Sequence, residues 1–540
     1  MRFGPVPPED AVGAILVHSV RLKGLAFKKG RVLSAEDVAA LSAAGIDRVT
    51  AACLDAGDVG EDAAASRIAK AVTGSGLTAS AAFTGRVNLF ASARGLCVVD
   101  VERLNRLNLI DESATVATLP VFAPVEPRQM VATIKIIPFA APETVVAAAE
   151  ALAGDGDALI RVAEFQPLRT VLIQTRLAGT KESVLDKTVG VTRDRLSALG
   201  GELIDEVRVD HTEGAVADAI VSACVSKPDL LLIAGASAIT DRRDVLPAGI
   251  ERAGGVVEHF GMPVDPGNLL LLARLGEMPV LGLPGCARSP KLNGFDWVLQ
   301  RIAAGVPVSR QDIMMMGAGG LLTEIPTRPL PRASATETEP VMQRAPRIAA
   351  LILAAGQSRR MGALNKMIAE VDGKPMVAHA LAAVTASQAG PVVVVTGHDP
   401  DAVRAALAGH EISFVHNPHF ADGLSTSLRA GLAALPADID GVLVCLGDMP
   451  RVTPDMIDRL ISAYNPVEGR AICVPTVNGK RGNPVLWDKR FFAEMRDLAG
   501  DVGARHLIGA HADQVSEVPM AGNGALLDID TPEALRGLSA

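Results

Sequence analysis

Short, uninterrupted apolar runs alternate with helix-forming stretches from residue 347 to the end of the chain. The runs IAALIL (348–353), VVVVT (392–396) and GVLVCL (441–446) are almost free of polar side chains. Such a pattern is typical of strands that are buried on both faces of a sheet, whereas half-exposed strands alternate apolar and polar residues. Helical stretches such as MVAHALAAVTAS (376–387) lie between the runs. The alternation therefore predicts an α/β fold with a doubly wound parallel sheet.

Three further segments precede this region. Apolar runs at 170–175 and 229–235 flank a helical stretch at 191–200, which predicts a second α/β unit. Residues before 170 are less regular, with a helical stretch at 35–45, and predict a mixed α+β region. Five prolines lie among polar residues after 322, and proline removes an amide donor, so this stretch is predicted to be a linker. The predicted domains are 1–169, 170–322 and 347–540, with the linker at 323–346.

Composition limits the classes of function. The 540 residues carry a net charge of −9, only 3% of them are aromatic, and no run of Lys and Arg occurs, which argues against nucleic-acid binding. No apolar run approaches the roughly 18 residues that a membrane-spanning helix needs, so no membrane partner is expected. The six cysteines form no C-x-x-C pair, and the N-terminal residues lack a signal-peptide pattern. We therefore expect a cytoplasmic protein that acts on small molecules.

The segment LILAAGQSRRMGALNK (351–366) carries the strongest chemical signal. A predicted strand runs directly into a loop in which Ala355 and Gly356 would let backbone amides approach a phosphate closely. Arg360 and Lys366 would supply the positive charge that a triphosphate requires. In a doubly wound sheet, ligands bind at this carboxyl end of the strands. An ordinary strand–turn–helix with solvated basic residues remains the alternative.

Aspartates follow two later segments. Asp448 comes directly after the run at 441–446, where its carboxylate could hold Mg²⁺ or Mn²⁺ against nucleotide phosphates. Asp528 and Asp530 are two apart on an extended segment and would share one face, so either could complete the metal site. Capping of strand ends is the alternative for these carboxylates.

The order of these motifs resembles that of the molybdenum cofactor cytidylyltransferases, nucleotidyltransferases with a glycosyltransferase-A-like fold. The resemblance covers essentially all of 347–540. Beyond the L-A-A-G-x-S-x-R-M-G-x-x-x-K segment, it rests on TGHD (396–399), NPHFADGLSTSLRAGL (417–432), CLGDMP (445–450), NGKRGNPVLW (478–487), GDVGAR (500–505) and LLDIDTPEAL (526–535). It implies transfer of CMP from CTP to the phosphate of molybdopterin, with release of pyrophosphate.

The resemblance also implies roles for individual residues. The catalytic residues would be Arg360, Lys366 and Asp448, with the metal held by Asp448, Asp528 and Asp530. The nucleotide would be bound by Leu353, Ala354, Ala355, Gly356, Arg360, Lys366, Thr396, Gly397 and Ser427. Molybdopterin would contact Arg481 and Asn483. Ser427 resembles a residue that helps to hold the base, but a serine near a helix N-terminus could equally be a cap.

The nucleotide is predicted to be CTP. Guanylyl-transferring relatives typically carry L-A-G-G where this chain has L-A-A-G at 353–356, and they lack a G-L-S-T-S-L segment. The methyl group of Ala355 would crowd a purine more than a pyrimidine.

Residues 170–310 resemble the molybdopterin-binding domain of molybdenum-insertion and cofactor-adenylylating proteins, which implies pterin contacts at Asp210, Gly235, Ser237 and Asp244. The family's G-G-T-G is replaced here by G-A-S-A at 235–238, and each lost glycine adds a Cβ where backbone would meet ligand. Residues 1–80 look like the N-terminal part of the molybdenum-insertion protein. A molybdoenzyme or its chaperone is a candidate partner.

The prediction is therefore an enzyme, a cytidylyltransferase with an N-terminal pterin-binding half. A guanylyl- or sugar-specific nucleotidyltransferase is one alternative. A non-catalytic molybdopterin carrier or chaperone is the other.

Overall fold

We describe the fold of the protein from a computed structural model. The structure describes residues 1–22, 25–265, 267–321, 344–358, 365–466, 469–498 and 504–538. The predicted linker, apart from residues 344–346, and the predicted catalytic residue Arg360 lie outside these ranges, as does most of the GDVGAR motif. Within the described ranges, no helix combines the length and apolar character needed to cross a lipid bilayer.

The first 53 residues enclose a small core of their own. Their elements are β1 (Arg2–Val6), β2 (Ile15–Leu16), β3 (Val20–Leu22), β4 (Leu25–Phe27), α1 (Ala35–Ala43) and β5 (Val49–Cys53). β5 pairs with both β1 and β2 in an antiparallel sheet. Helix α1 lies within the predicted helical stretch at 35–45 and begins with a capping box. In it, Ser34 accepts a hydrogen bond from the amide of Asp37, and the Asp37 carboxylate accepts one from the amide of Ser34.

A second core occupies the rest of the N-terminal region. Its elements are β6 (Asp58–Gly60), α2 (Glu61–Val72), β7 (Leu77–Ala79), β8 (Arg86–Ala91), β9 (Gly95–Val99), α3 (Val101–Asn108), β10 (Ala114–Thr118), β11 (Pro124–Val125), β12 (Met130–Ile136), β13 (Ala140–Pro142), α4 (Glu143–Ala153) and β14 (Ile160–Glu164). One sheet has the order β10–β12–β8–β7 and another the order β11–β9–β14. Val87, Leu89 and Ala91 alternate with less buried residues along β8, so one face of the sheet enters the core. The helices and antiparallel sheets agree with the predicted α+β character.

The middle region is a sheet covered by helices on both faces. Its elements are β15 (Arg169–Arg176), α5 (Glu182–Ala198), β16 (Glu202–Asp210), α6 (Glu213–Ala223), β17 (Leu230–Ala234), α7 (Val245–Arg252), β18 (Val256–Phe260), β19 (Leu271–Leu275), β20 (Met278–Leu283), α8 (Gly294–Ala303) and α9 (Arg310–Met314). The order is β16–β15–β17–β20–β19–β18. The first four strands are parallel, and β19 runs antiparallel to both of its neighbours, β20 and β18. Leu230 and Leu232 pack on the side of α5 and α8, whereas Leu231 and Ile233 pack on the side of α6 and α7.

The C-terminal region contains a larger sheet of the same kind. Its elements are β21 (Ile348–Ala354), β22 (Glu370–Val371), β23 (Lys374–Pro375), α10 (Met376–Thr385), β24 (Val392–Thr396), α11 (Pro400–Ala406), β25 (Ser413–His416), α12 (Leu424–Ala433), β26 (Gly441–Leu446), α13 (Pro454–Ala463), β27 (Ile472–Val477), β28 (Lys480–Arg481), β29 (Val485–Asp488), α14 (Phe492–Arg496), α15 (Arg505–Ala510), β30 (Val515–Pro519) and α16 (Pro532–Leu538). Its strand order is β25–β24–β21–β26–β29–β27–β28, with β30 beside β27. Helices α10 and α13 cover one face, and α12 and α14 cover the other.

The sheet is mixed, so the prediction of a parallel sheet holds for only part of it. The strands β25, β24, β21 and β26 are parallel, but β29 runs antiparallel to both β26 and β27. Burial explains why the sequence does not show this direction. All four residues of β29 are buried, like those of β21 and β24, and a strand that is covered on both faces looks the same in either direction.

Asp440, just before β26, fixes the entry of the chain into β21. Its carboxylate accepts two hydrogen bonds from the Arg344 guanidinium, at 2.7 and 2.8 Å, and one from the Arg347 amide, at 2.7 Å. The amide of Ala345 donates to the carbonyl of Arg128 in the N-terminal region. Burial alone would raise the pKa of Asp440, but the hydrogen bonds from Arg344 and Arg347 outweigh it, and the pKa lies below its ordinary value.

We expect Asp440→Asn to destabilise the protein by about 1–3 kcal/mol near neutral pH, the cost typical of disrupting hydrogen bonds to a charged group. Because the folded-state pKa is lowered, this stability is fully present above the unfolded pKa of about 3.9 and is lost as the pH falls through the lower folded value. Thermal melts of the wild type and the Asp440 variant, from neutral pH to below the unfolded pKa, measure this stability. Asp438→Asn is the control, since Asp438 is an exposed partner of Arg347. Equal melting temperatures for the wild type and the Asp440 variant at neutral pH would contradict the assignment.

Candidate active site

A cleft of about 530 Å³ lies at the carboxyl ends of β21 and β26. These two strands are hydrogen-bonded neighbours, so the loop that follows each of them reaches the same edge of the sheet. Seven of the predicted site residues line this cleft: Leu353, Ala355, Gly356, Lys366, Ser427, Asp448 and Asp530. The structure therefore brings together residues that are up to 177 positions apart, from 353 to 530.

Lys366 joins two carboxylates inside the cleft. Its Nζ donates a hydrogen bond to Oδ2 of Asp448 and another, at 3.1 Å, to Oδ1 of Asp530. Burial alone would lower the pKa of Lys366, but the charges and hydrogen bonds of the two carboxylates outweigh it and raise the pKa above its ordinary value. Lys366 therefore carries its charge at neutral pH, opposite two aspartates.

Asp448 is buried, and its two carboxylate oxygens differ in their hydrogen bonding. Oδ1 has no hydrogen-bond partner within the part of the chain that the structure describes, although it is shielded from solvent. The carbonyl of Asp448 accepts a hydrogen bond from the amide of Ile529 at 3.1 Å, which holds the segment 528–530 against the end of β26. A buried carboxylate oxygen of this kind calls for a cation or a donor.

Of the two aspartates predicted as alternatives for the metal site, Asp530 is the one that lines the cleft. Ile529 between them is fully buried, Asp528 is exposed, and Asp530 lines the cleft and bonds to Lys366. Asp530, rather than Asp528, is therefore the carboxylate placed beside Asp448. The hydrogen bond from the Ile529 amide to the Asp448 carbonyl holds this segment at the cleft, and it is invisible in the sequence.

The donor set fits a divalent cation that arrives with a nucleotide. Mg²⁺ in proteins is commonly held by one or two carboxylates together with substrate phosphates. Asp448 and Asp530 supply two carboxylates and the unpartnered Oδ1. Among the described residues, no group of three or more His, Cys, Asp and Glu side chains could hold a metal ion by itself. The remaining ligands would therefore come from phosphates and water.

Ser358 ties the loop after β21 to Lys366, and the sequence analysis did not select it. Its Oγ accepts a hydrogen bond from the amide of Lys366 at 3.0 Å, and it is buried in the cleft wall. Its φ of +53° is in the left-handed region, which a serine adopts only under constraint. The serine of the L-A-A-G-x-S pattern was the available signal, but nothing in a sequence shows its bond to the Lys366 amide.

Ser427 is not a helix cap. Helix α12 begins at Leu424 after Gly423, whose φ of +113° suits glycine, so Ser427 lies inside the first turns. It is buried, and its Oγ accepts a hydrogen bond from Nδ2 of Asn417 at 3.0 Å. Asn417, another residue that the sequence analysis did not select, therefore orients Ser427 at the cleft wall.

Three predicted nucleotide-binding residues lie behind the cleft wall rather than on it. Ala354 and Thr396 are buried at the ends of β21 and β24 and do not line the cleft. A Cβ placed on Gly397 would lie 2.6 Å from Cβ of Phe420 and 2.7 Å from the carbonyl oxygen of Ala355. Gly397 thus allows two parts of the wall to come together, and this is a packing role.

The predicted pterin contacts in the C-terminal region lie outside the cleft. Arg481 is about half exposed, and its guanidinium pairs with Glu517, with an Nη2–Oε1 distance of 2.8 Å. The amide of Asn483 donates to the carbonyl of Ala525 at 2.9 Å. Neither residue is among those that line the cleft.

A smaller cleft in the middle region, of about 100 Å³, contains two of the four pterin-contact predictions. Gly235 and Ser237 line it with Arg288, which donates a hydrogen bond to the carbonyl of Gly235 at 2.7 Å. Asp210 is exposed at the end of β16, 3.5 Å from Arg176, and does not line it. Asp244, the fourth predicted residue, does not line it either. It is the N-cap of α7, and its carboxylate accepts hydrogen bonds from the amides of residues 240 and 245.

With this geometry in place, comparison with known protein families is informative. Residues 350–515 match the family of MobA-like NTP transferase domains. The C-terminal region is a nucleotidyltransferase domain. Residues 5–53 match a domain of unknown function, DUF8806.

Curated relatives match part of the chain. The bifunctional protein GlmU of Kineococcus radiotolerans is 38% identical over 172 residues, which are 31% of this chain and 33% of that protein. GlmU of Stutzerimonas stutzeri is 34% identical over 156 residues, 28% of this chain and 34% of its own length. The chain thus spans about a third of the length of these curated relatives.

Among solved structures, Rv0371c of Mycobacterium tuberculosis H37Rv is 27% identical and covers 36% of this chain and 97% of its own, with a TM-score of 0.32. Its homolog from Mycobacterium sp. strain JC1 is 24% identical, with coverages of 36% and 96% and the same TM-score. Rv0371c has also been solved in complex with manganese.

The packing at Gly397 generates a prediction about nucleotide affinity. We expect Gly397→Ala to push Ala355 and Phe420 apart and to weaken binding of a nucleoside triphosphate by about tenfold, within the 1–3 kcal/mol range of overpacking effects. Calorimetric titration measures the affinity, and circular dichroism checks that the domain remains folded. Gly509→Ala is the matched control, since its Cβ would meet open space. Unchanged affinity in the Gly397 variant would contradict the proposed wall packing.

Proposed function

We propose that the protein is a molybdenum cofactor cytidylyltransferase, which transfers CMP from CTP to the terminal phosphate of molybdopterin and releases pyrophosphate. The observation that carries this proposal is the cleft in which Lys366, Asp448 and Asp530 meet below the loop at 355–358. The loop at 355–358 offers small-residue backbone, which suits phosphates. Lys366 adds a positive charge, and the two carboxylates bonded to it suit a divalent cation.

The proposed reaction needs no side-chain base. A phosphate oxygen of the acceptor, already anionic near neutral pH, forms a bond to the α-phosphorus of CTP. The bond from that phosphorus to the bridging oxygen breaks, and pyrophosphate leaves with the electron pair. Catalysis then depends on in-line positioning and on cations that neutralise the developing charge. Mg²⁺ or Mn²⁺, when bound, would supply part of that charge.

The chain's own residues divide this work. Asp448 and Asp530 would hold the metal, and Lys366 would hold the phosphates, together with Arg360 from outside the described residues. Ser427, oriented by Asn417, would contact the base from the opposite wall. The preference for CTP over GTP rests on the L-A-A-G segment and its resemblance to cytidylyltransferases.

The N-terminal half is proposed to bind the same pterin and pass it on. Its support is the resemblance of 170–310 to molybdopterin-binding domains, and the cleft of Gly235, Ser237 and Arg288 at the carboxyl end of β17. Residues 170–322 and 347–540 would then be two pterin-handling domains in one chain, which raises the effective concentration of the ligand. A molybdoenzyme or its chaperone would receive the product.

A sugar-phosphate acceptor is the second candidate, because the curated relatives of the nucleotidyltransferase domain are GlmU proteins. A guanylyl donor is the variant of the same chemistry, and a molybdopterin carrier without turnover is the non-catalytic alternative. Each of these functions predicts a different combination of nucleotide donor and phosphate acceptor that supports turnover.

Pyrophosphate release from the full chain with Mg²⁺ separates these functions. We expect turnover with CTP and molybdopterin that exceeds turnover with GTP or with a sugar phosphate. Asp448→Asn should reduce it by about 10²–10³-fold, the scale of removing one electrostatic contact to the transition state. Asp401→Asn, an exposed change on α11, is the control. Turnover that needs a sugar phosphate, or binding of molybdopterin without turnover, would replace the proposed function by the corresponding alternative.

A further inference from the structure

The ammonium group of Lys366 occupies the space between the two carboxylates that fit a metal ion. Its Nζ is bonded to Asp448 and lies 3.1 Å from Oδ1 of Asp530. All three side chains are mostly shielded from solvent, with exposed fractions of 14%, 12% and 30%. A divalent cation bound to both carboxylates would therefore be in direct contact with a positive charge at low effective dielectric, where like charges repel strongly.

The side chain of Lys366 can reach a second position. Its backbone is fixed, because its amide donates to Ser358, while its four-carbon side chain has rotatable bonds. Among the described residues, Cε of Lys366 lies 3.8 Å from a Cβ built on Gly356. The side chain therefore runs beside the small-residue loop at which triphosphate is expected. A rotation of the side chain would move the ammonium from the carboxylates to that loop.

We propose that Lys366 is a placeholder for the metal: it neutralises Asp448 and Asp530 in the nucleotide-free protein and leaves them for the phosphates when the metal–nucleotide complex arrives. This inference rests on the proposed function of the cleft. The unpartnered Oδ1 of Asp448 supports it, because that oxygen is a ligand position which the ammonium does not use. Lys366 is thereby a positioning residue for metal entry as well as a phosphate contact.

The placeholder couples the two ligands. Metal alone must displace the ammonium, for which the described residues offer no hydrogen-bond partner besides these two carboxylates, so it binds weakly. Nucleotide gives that ammonium a new set of anionic partners, so metal and nucleotide favour each other's binding by the same factor. Removal of the ammonium should therefore allow the metal to bind without nucleotide.

Binding of Mn²⁺ to the full chain without nucleotide tests the proposal, followed by electron paramagnetic resonance of free Mn²⁺. We expect Lys366→Met to bind Mn²⁺ about tenfold or more tightly than the wild type, since one charge repulsion at short range is removed. Lys366→Arg should remain as weak as the wild type, because it keeps the charge. Lys489→Met, which removes an exposed lysine of the same domain outside the cleft lining, should change nothing.

Melting temperatures in Mn²⁺ and in EDTA keep the test decisive if the methionine variant is unstable. That variant lacks the ammonium that pairs with Asp448 and Asp530, so Mn²⁺ should raise its melting temperature more than that of the wild type, and Lys366→Gln should behave in the same way. Equal Mn²⁺ affinity in the wild type and Lys366→Met, or tighter binding in Lys366→Arg as well, would overturn the placeholder. Because no acceptor or turnover is involved, this outcome is independent of the pyrophosphate assay.

Discussion

The ion pairs of Lys366 hold together three parts of the chain that are far apart in sequence. Lys366 follows the loop after β21, Asp448 lies two residues beyond the neighbouring strand β26, and Asp530 lies near the C-terminus. Without the ammonium, two carboxylates would face each other in a partly buried cleft, and this is costly. The interaction therefore determines both the shape of the cleft and the charge that a ligand meets there. The proposed metal exchange follows from the same conflict.

The strands β21 and β24 of the C-terminal sheet could be predicted because each is buried on both faces and appears as a continuous apolar run. The direction of β29 could not, since burial does not depend on strand direction. Among site residues, Lys366 and Asp448 could be found from residue type and position at a strand end. The choice of Asp530 over Asp528 depends on how the segment 528–530 packs at the end of β26, and the role of Ser427 depends on where α12 begins. Such details are set by tertiary contacts, which a single sequence does not show.

The C-terminal domain is attached to the N-terminal half by more than the predicted linker. Besides the contacts of residues 344–347, Arg459 of α13 lies 3.8 Å from Asp62, and the Arg470 guanidinium lies over the ring of Phe83 at 5.8 Å. Asp62 and Phe83 both belong to the second N-terminal core region. These contacts place the nucleotidyltransferase domain against that region.

Anomalous diffraction from crystals of the full chain with Mn²⁺ and a non-hydrolysable CTP analogue tests the central claim most directly, because it locates the metal and the lysine at once. The account predicts a Mn²⁺ peak bonded to the carboxylates of Asp448 and Asp530 and to phosphate oxygens, with Nζ of Lys366 moved onto the triphosphate. A nucleotide bound in the cleft while the ammonium still bridges the two carboxylates, or Mn²⁺ bound elsewhere, would contradict it.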